Sequence, residues 1–262
     1  MQRLLVIKIG GNIIDNETKL QEVLQQCAAL QEPFVLVHGG GKLATQLAET
    51  MGLPQQMVDG RRITDAASLK VVTMVYAGYI NKNIVAQLQA NGCDALGLCG
   101  ADGNAILAHK RVHSTIDYGF AGDVDAVNAS LLTGLLQNGK TIVVAPITHN
   151  GQGQLLNTNA DTIAQETAKA LSAHFAVQLI YTFEKPSVLL DANDDTTVIP
   201  GINPMEYQQL KADGKIFAGM IPKLDNAFAA LQSGVQKVII GQAENLSQLI
   251  NGQSGTTLQH AS

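Results

Sequence analysis

An α/β fold built on a mostly parallel central sheet, with helices on both of its faces, is predicted for this chain by three observations. Short β-branched runs alternate with longer stretches of helical spacing along almost the whole sequence, the pattern of repeated strand–helix–strand units. The runs are apolar throughout rather than at every second residue, as strands covered on both faces must be. Glycines fall where the runs end, and open parallel sheets carry their ligands at strand ends.

The strands are expected at LLVIKIG (4–10), FVLVHGG (34–40), DALGLCG (94–100), TIVVAPI (141–147), VQLIYTF (177–183) and KVIIG (237–241). Helical spacing covers 17–31, 42–51, 66–91, 127–138, 160–174, 204–212, 222–233 and 244–251. Within 66–91, the run VVTMVYAGYI (71–80) is apolar nearly all round; such a helix is covered on every side, by its own core or by a partner chain. The turn-rich stretch EKPSVLLDANDDTTVIPGIN (184–203) reads as an excursion over the sheet. There is no internal repeat and no low-complexity linker.

At 262 residues, 46% hydrophobic and 15% charged, the chain is long enough for one large domain or two small lobes with a full core. A net charge of −5 without runs of like charge argues against nucleic acid or an anionic membrane as partner, while leaving room for a local basic site. No apolar stretch approaches the ~18 residues of a membrane span. A strand-like run begins by residue 4, so no signal peptide is expected. Cys27, Cys93 and Cys99 form no CxxC pair, and the six histidines show no metal-ligand spacing. Buried free thiols in a reducing compartment are expected, and no zinc site.

Five segments carry candidate chemistry. VLVHGGGKLATQLAE (35–49) is a strand running through three glycines into a helix, either a tight turn or a nest of free N–H groups for an anion. It is neither a Walker A loop nor a GxGxxG turn, and no GxSxG elbow accompanies it as an esterase would require. KIGG (8–11) is a second glycine-bearing strand end; its Lys8 either snorkels at a sheet edge or adds a full charge to an anion site. DGRRIT (59–64) offers a carboxylate fork or a solvated charge pair. GQLLNTNADTIAQETAKAL (153–171) places Asn157, Asn159 and Asp161 just before a helix, as caps or as ligand-holding groups. GKIFAGMIPKLDNAFAAL (214–231) puts Lys223 in the first turn of a helix that Pro222 can start. There it opposes the helix dipole unless an anion lies close.

Taken in this order, the five segments resemble the amino acid kinase family, and within it the members that phosphorylate N-acetyl-L-glutamate. The likeness runs over essentially the whole chain to SGTTL (254–258), which looks like the family's closing strand. RRIT and NTNAD separate it from carbamate, aspartate and UMP kinases. The resemblance implies a three-layer α/β/α sandwich, with an N-terminal acyl-glutamate-binding lobe over 1–175 and a C-terminal nucleotide-binding lobe over 176–262. It implies ATP and Mg²⁺, the metal carried by ATP, and transfer to the substrate's γ-carboxylate in the second step of arginine synthesis. An N-succinyl-L-glutamate kinase and a catalytically silent sensor on the same fold are the alternatives.

Residue by residue, Lys8 and Lys223 match the pair that neutralises the transferring phosphoryl group, and Asp161 matches the aspartate that positions both. Gly10, Gly11, Gly40 and Gly41 match the backbone nests. Arg62 and Asn157, with Asn159 close by, match the clamp on the substrate's α-carboxylate and acyl-amino end. Nucleotide contacts are expected at Thr182, Phe183, Glu184, Lys185 and Gly219. There the chain departs from the family's T/S-D-V-x-G turn, reading YTFEKPSVLLD (181–191) without that aspartate or glycine. The expected setting is cytoplasmic, with small-molecule partners and neither nucleic acid nor membrane. The apolar face of 71–80 points to a homodimer. Arginine-inhibited members carry an extra helix before the first strand; only Met1, Gln2 and Arg3 precede it here, so insensitivity to arginine is expected.

Overall fold

A computed structural model describes residues 1–58, 61–191, 193–216 and 220–260. The elements begin with β1 (Arg3–Ile9), α1 (Gly11–Ile14), α2 (Glu17–Ala28), β2 (Phe34–His38), α3 (Leu43–Thr50), β3 (Gln56–Val58), β4 (Arg61–Ile63) and α4 (Ala66–Val72). A π-helical stretch, Thr73–Ile80, joins α4 to α5 (Asn81–Ala90). Then come β5 (Ala95–Leu98), β6 (Ile106–Lys110), β7 (Ala121–Val127), α6 (Ala129–Gln137), β8 (Thr141–Val144), β9 (Ile147–His149), β10 (Leu155–Thr158) and α7 (Ala160–Leu171). The chain closes with β11 (Ala176–Phe183), β12 (Gly201–Ile202), α8 (Pro204–Ala212), α9 (Ile221–Gln232), β13 (Lys237–Gln242), α10 (Leu246–Ile250) and β14 (Thr256–Leu258).

Eight strands form the central sheet in the order β12-β14-β13-β11-β1-β2-β8-β5. Every pairing is parallel except β13 with β14. The strand period of two sorts the apolar runs onto two faces. Leu4, Val6, Val35, Val37, Leu179 and Ile240 point to the side covered by α6, α7, α8 and α9. Leu5, Ile7, Ile9, Leu36, Ile180 and Ile239 point to the side covered by α2, α3, α4, α5 and α10. The result is the expected α/β/α sandwich, with β1 and β11 at its centre.

The six predicted strands are all present; β1, β2, β5 and β8 end a residue or more short of the quoted runs, β11 ends with its run at Phe183, and β13 continues to Gln242. The sequence reading missed β6, β7, β9 and β10, which close into a small four-stranded barrel beside the sheet. Two pairings in that barrel are antiparallel, and segments such as AGDVDAV and LLNT mix polar with apolar residues, so no buried run marks them. The run 71–80 is helical but wound as a π-helix; Val75, Tyr76 and Ile80 are buried while Met74 and Tyr79 are exposed. The stretch 184–203 is turn-rich, holding one isolated bridge, Leu189 to Val198, before β12.

Candidate active site

Lys8 lies near the end of β1, in register with Tyr181 of β11 and Val37 of β2. Alternation along β1 places it on the face with Leu4 and Val6, beneath α7 and α9. Only 8% of the residue is exposed, and its Nζ stands 2.8 Å from Asp161 Oδ1. That contact is an ion pair without hydrogen-bond alignment: Oδ1 is buried and has no hydrogen-bond partner among the described residues. Asp161 is the second residue of α7, where a carboxylate complements the helix dipole. Asn159 caps the same helix, its Oδ1 accepting the N–H groups of Asp161 (2.7 Å) and Thr162 (3.2 Å).

Lys223 sits in the first turn of α9 with its Nζ 3.7 Å from the centre of the Phe183 ring. Burial lowers its pKa; Asp161 raises it again, Lys8 lowers it further, and Glu184 raises it. Two ammonium groups thus share the neighbourhood of one buried carboxylate.

Behind Lys8 two glycine turns meet. Gly10 caps α1, and the N–H of Gly39 donates to the Ile9 carbonyl at 3.0 Å. A Cβ on Gly11 would stand 2.7 Å from Gly41 Cα, a backbone atom that cannot step aside, and Gly41 has a left-handed φ of +58°. Asp15 fastens the second turn by accepting the Lys42 N–H at 2.8 and 3.0 Å.

The orientation of that turn is set from below by His38, which is fully buried. Its Nδ1 donates to the Gly39 carbonyl at 2.9 Å, since a carbonyl can only accept, and Nε2 accepts from Asn81 Nδ2 at 3.3 Å. Asn81 also donates to the Val143 carbonyl at 3.1 Å. Burial keeps the imidazole neutral, with its pKa pushed down to about 4. In a trans peptide the C=O and the following N–H point opposite ways. With the Gly39 carbonyl held against His38, the Gly40 N–H faces away from it.

A cavity of about 300 Å³ opens above these turns, lined by Lys8, Gly40, Gly41, Arg62, Asn157, Asn159 and Asp161. Arg62 is aimed by hydrogen bonds to Thr45 Oγ1 (2.8 Å) and Gln55 Oε1. Asn157 donates to Thr64 Oγ1 at 3.0 Å, which leaves its carbonyl oxygen for a ligand. Tyr76, Met57 and Arg111 also line the cavity, and sequence reasoning missed them. Tyr76 was hidden in the apolar run 71–80, and Arg111, which chelates Asp123 from β7, belongs to the unrecognised barrel. No local signal marks either as a wall of this cavity.

Of the predicted nucleotide residues, Thr182, Phe183, Glu184 and Lys185 do not line that cavity. Thr182 is buried and its hydroxyl donates to the Lys8 carbonyl at 2.9 Å. The Glu184 carbonyl accepts from Gln242 at 2.8 Å, and Lys185 pairs with Asp195 at 2.8 Å. Gly219 falls outside the described residues, as do Asp59 and Gly60 of the DGRRIT segment.

The family description that matches this chain, over residues 3–242, is that of the amino acid kinase family. The acetylglutamate kinase of Cytophaga hutchinsonii is 57% identical over 252 residues, covering 96% of both chains. That of Bacteroides thetaiotaomicron is 55% identical over 98% of this chain and 99% of its own. Among solved structures, the Neisseria gonorrhoeae N-acetylglutamate synthase complexed with coenzyme A and N-acetyl-glutamate superposes with a TM-score of 0.83. At 23% identity it covers 99% of this chain and 60% of that one, a likeness of fold.

Proposed function

Because the chain belongs to the amino acid kinase family, we infer that it transfers the γ-phosphoryl group of ATP to the γ-carboxylate of N-acetyl-L-glutamate, the second step of arginine synthesis. The observation that carries the reading is one cavity bearing the separate cationic side chains of Arg62 and Lys8, for a substrate with two carboxylates.

The chemistry asks little covalent work of the protein. A γ-carboxylate with a pKa near ~4.3 is ionised at neutral pH, so no general base is required. The obstacle is bringing a carboxylate against a triphosphate, and the remedy is positioning with fixed positive charge. Lys8 and Lys223 neutralise the transferring group, with Asp161 holding the pair. N–H groups of the turns at Gly10–Gly11 and Gly40–Gly41 cradle its oxygens. Arg62 takes the α-carboxylate, and the free carbonyl of Asn157 accepts the acylamino N–H. Asn159, engaged as the cap of α7, shapes the wall.

The end of β11, Thr182 to Lys185, is the side from which ATP is read to approach. Mg²⁺ is read as arriving on the triphosphate, where it screens phosphate charge; Asp161, the carboxylate lining the cavity, already pairs with Lys8. The lobes are read as 1–175 for the acyl-glutamate and 176–262 for the nucleotide, the β1–β11 pairing joining them. Exposed Met74 and Tyr79 on the π-helical stretch support a homodimer through that face. Among the described residues no helix is long and apolar enough to cross a membrane; a cytoplasmic setting is part of this reading, since ATP is there.

The test is a hydroxamate assay for acyl phosphate with ATP and N-acetyl-L-glutamate. Hydroxamate should form in proportion to ADP. ADP without hydroxamate, or no turnover, would remove the reading.

A further inference from the structure

The region between Lys8 and Lys223 holds an electrostatic problem that the residues named so far do not solve. Two ammonium groups share the Asp161 carboxylate in a partly buried place; Glu184 also favours the charged form of Lys223, but least of the groups that act on it. Lys8 also lowers the readiness of Lys223 to stay protonated. Yet activity as read here needs both protonated. A second carboxylate as close as Asp161 would balance the pair but would repel an incoming phosphoryl group by the same Coulomb term.

The ring of Phe183 occupies that position. Lys223 Nζ lies 3.7 Å from its centroid and Lys8 Nζ 5.6 Å from the same centroid, both within the ~6 Å over which a ring face attracts a cation. The ring is not free to swing away. It stacks on Tyr181, two residues back on the same face of β11, with centroids 6.2 Å apart and planes 21° from parallel. It also packs against the core on the α7/α9 side of the sheet. Tyr181 in turn is buried, and its hydroxyl donates to the Asp161 carbonyl at 3.2 Å. One aromatic pair therefore touches both lysines and the helix start that carries their carboxylate.

Resting on the reading above, we propose that Phe183 is a positioning residue: its ring face holds the ammonium groups of Lys223 and Lys8 beside each other, without placing a formal negative charge against the transferring phosphoryl group. A lysine has three N–H donors; a ring face takes up one and leaves the rest for phosphate oxygens. The titratable groups facing Lys223 are Asp161 from α7, Lys8 from β1, and Glu184 just past the end of β11. Asp225, on its own helix, is engaged by Lys211 and Tyr207. The ring lies nearer Lys223 than Lys8, so its removal is felt chiefly at Lys223.

The experiment replaces Phe183 in the full-length protein with 4-fluoro-, 3,5-difluoro- and 3,4,5-trifluorophenylalanine, which keep the shape while draining the ring face of negative potential. Phe183→Leu and Phe183→Tyr accompany them. The series should lower kcat stepwise, to a total of about five- to thirtyfold at the fully fluorinated or Leu end, with the KM for ATP unchanged within about twofold. The alkaline limb of kcat should move to lower pH in Phe183→Leu, and Phe183→Tyr should retain the wild-type limb. A kcat flat across the fluorinated series overturns the proposal. So does a loss carried by the KM for ATP, which would make the ring a nucleotide platform instead. Should the wild-type protein form no acyl phosphate, that failure belongs to the functional reading. The inference is then decided on the resting protein by NMR of ¹³C-dimethylated lysines. Lys223 should titrate at lower pH in Phe183→Leu than in the parent, and an unchanged titration rejects the platform.

Discussion

At the ends of β1 and β2 the chain narrows to bare backbone, whereas at the adjoining end of β11 it places two stacked aromatic rings. Both regions border Lys8, and the β11 end borders Lys223 as well. On the glycine side the contact proposed is between backbone N–H groups and phosphate oxygens, and a Cβ stands in the way: at Gly11 it would meet Gly41 Cα. On the β11 side the neighbour to be held is an ammonium group, which a ring face attracts and a glycine could not. An anion-facing strand end loses its side chains; a cation-facing one needs a large, uncharged one. The predictions that follow test that division of labour.

The largest effect is expected where both regions converge. Lys8→Ala and Lys223→Ala should each lower kcat about 10²- to 10³-fold, with much smaller changes in either KM, because their charge is needed most as the phosphoryl group moves. Initial-rate kinetics measure this. Turnover within a factor of about three of wild type in either variant would break the comparison at its root, since neither region would then be serving a lysine.

Next in size is the support beneath the glycine turn. Unfolded chains protonate histidine near pH 6.5, while the buried His38 resists protonation down to about 4. Between those values the unfolded state binds the extra proton, so stability falls as pH falls, by about 3 kcal/mol across the window. Urea unfolding of the wild type should show that acid loss, and His38→Gln should lack about one proton's worth of it. Equal pH slopes for the two proteins would mean that the imidazole is not held neutral against Gly39.

Arg62→Leu stays on the acyl-glutamate side and should raise that substrate's KM by about ten- to fiftyfold, the worth of a charge-assisted hydrogen bond. The KM for ATP should hardly move. A change confined to ATP would place Arg62 in the wrong half of the site.

How legible each region was in the sequence follows from its physics. Glycine runs at strand ends are visible because their function is the absence of side chains, and Lys8 stands out as a charge inside an apolar run. The α/β/α layering could be read for the same reason: strands buried on both faces have to be apolar end to end. The end of β11 was visible only as a departure, an aromatic where the resembled family has an aspartate, and nothing local told that Phe183 would lie over Lys223, forty residues on. Met57 and Arg111 were illegible because one lies in and the other directly follows a short antiparallel strand with no buried run. The π-helical winding of 73–80 was hidden because it keeps the composition of an ordinary apolar helix.

The smallest expected effect separates the two halves of the aromatic pair. Tyr181→Phe keeps both rings and their stacking but removes the hydroxyl that donates to the Asp161 carbonyl at 3.2 Å. A single neutral hydrogen bond of this kind contributes about 0.5–1.5 kcal/mol net, so kcat should fall by less than about tenfold. The KM values should stay in place and the alkaline limb unmoved, because the ring face toward Phe183 remains. If Tyr181→Phe instead shifted that limb as far as Phe183→Leu does, the hydroxyl's hold on the start of α7, rather than the ring over the lysines, would be setting their protonation. The β11 end would then act through Asp161 alone, and its contrast with the glycine turns would reduce to one hydrogen bond.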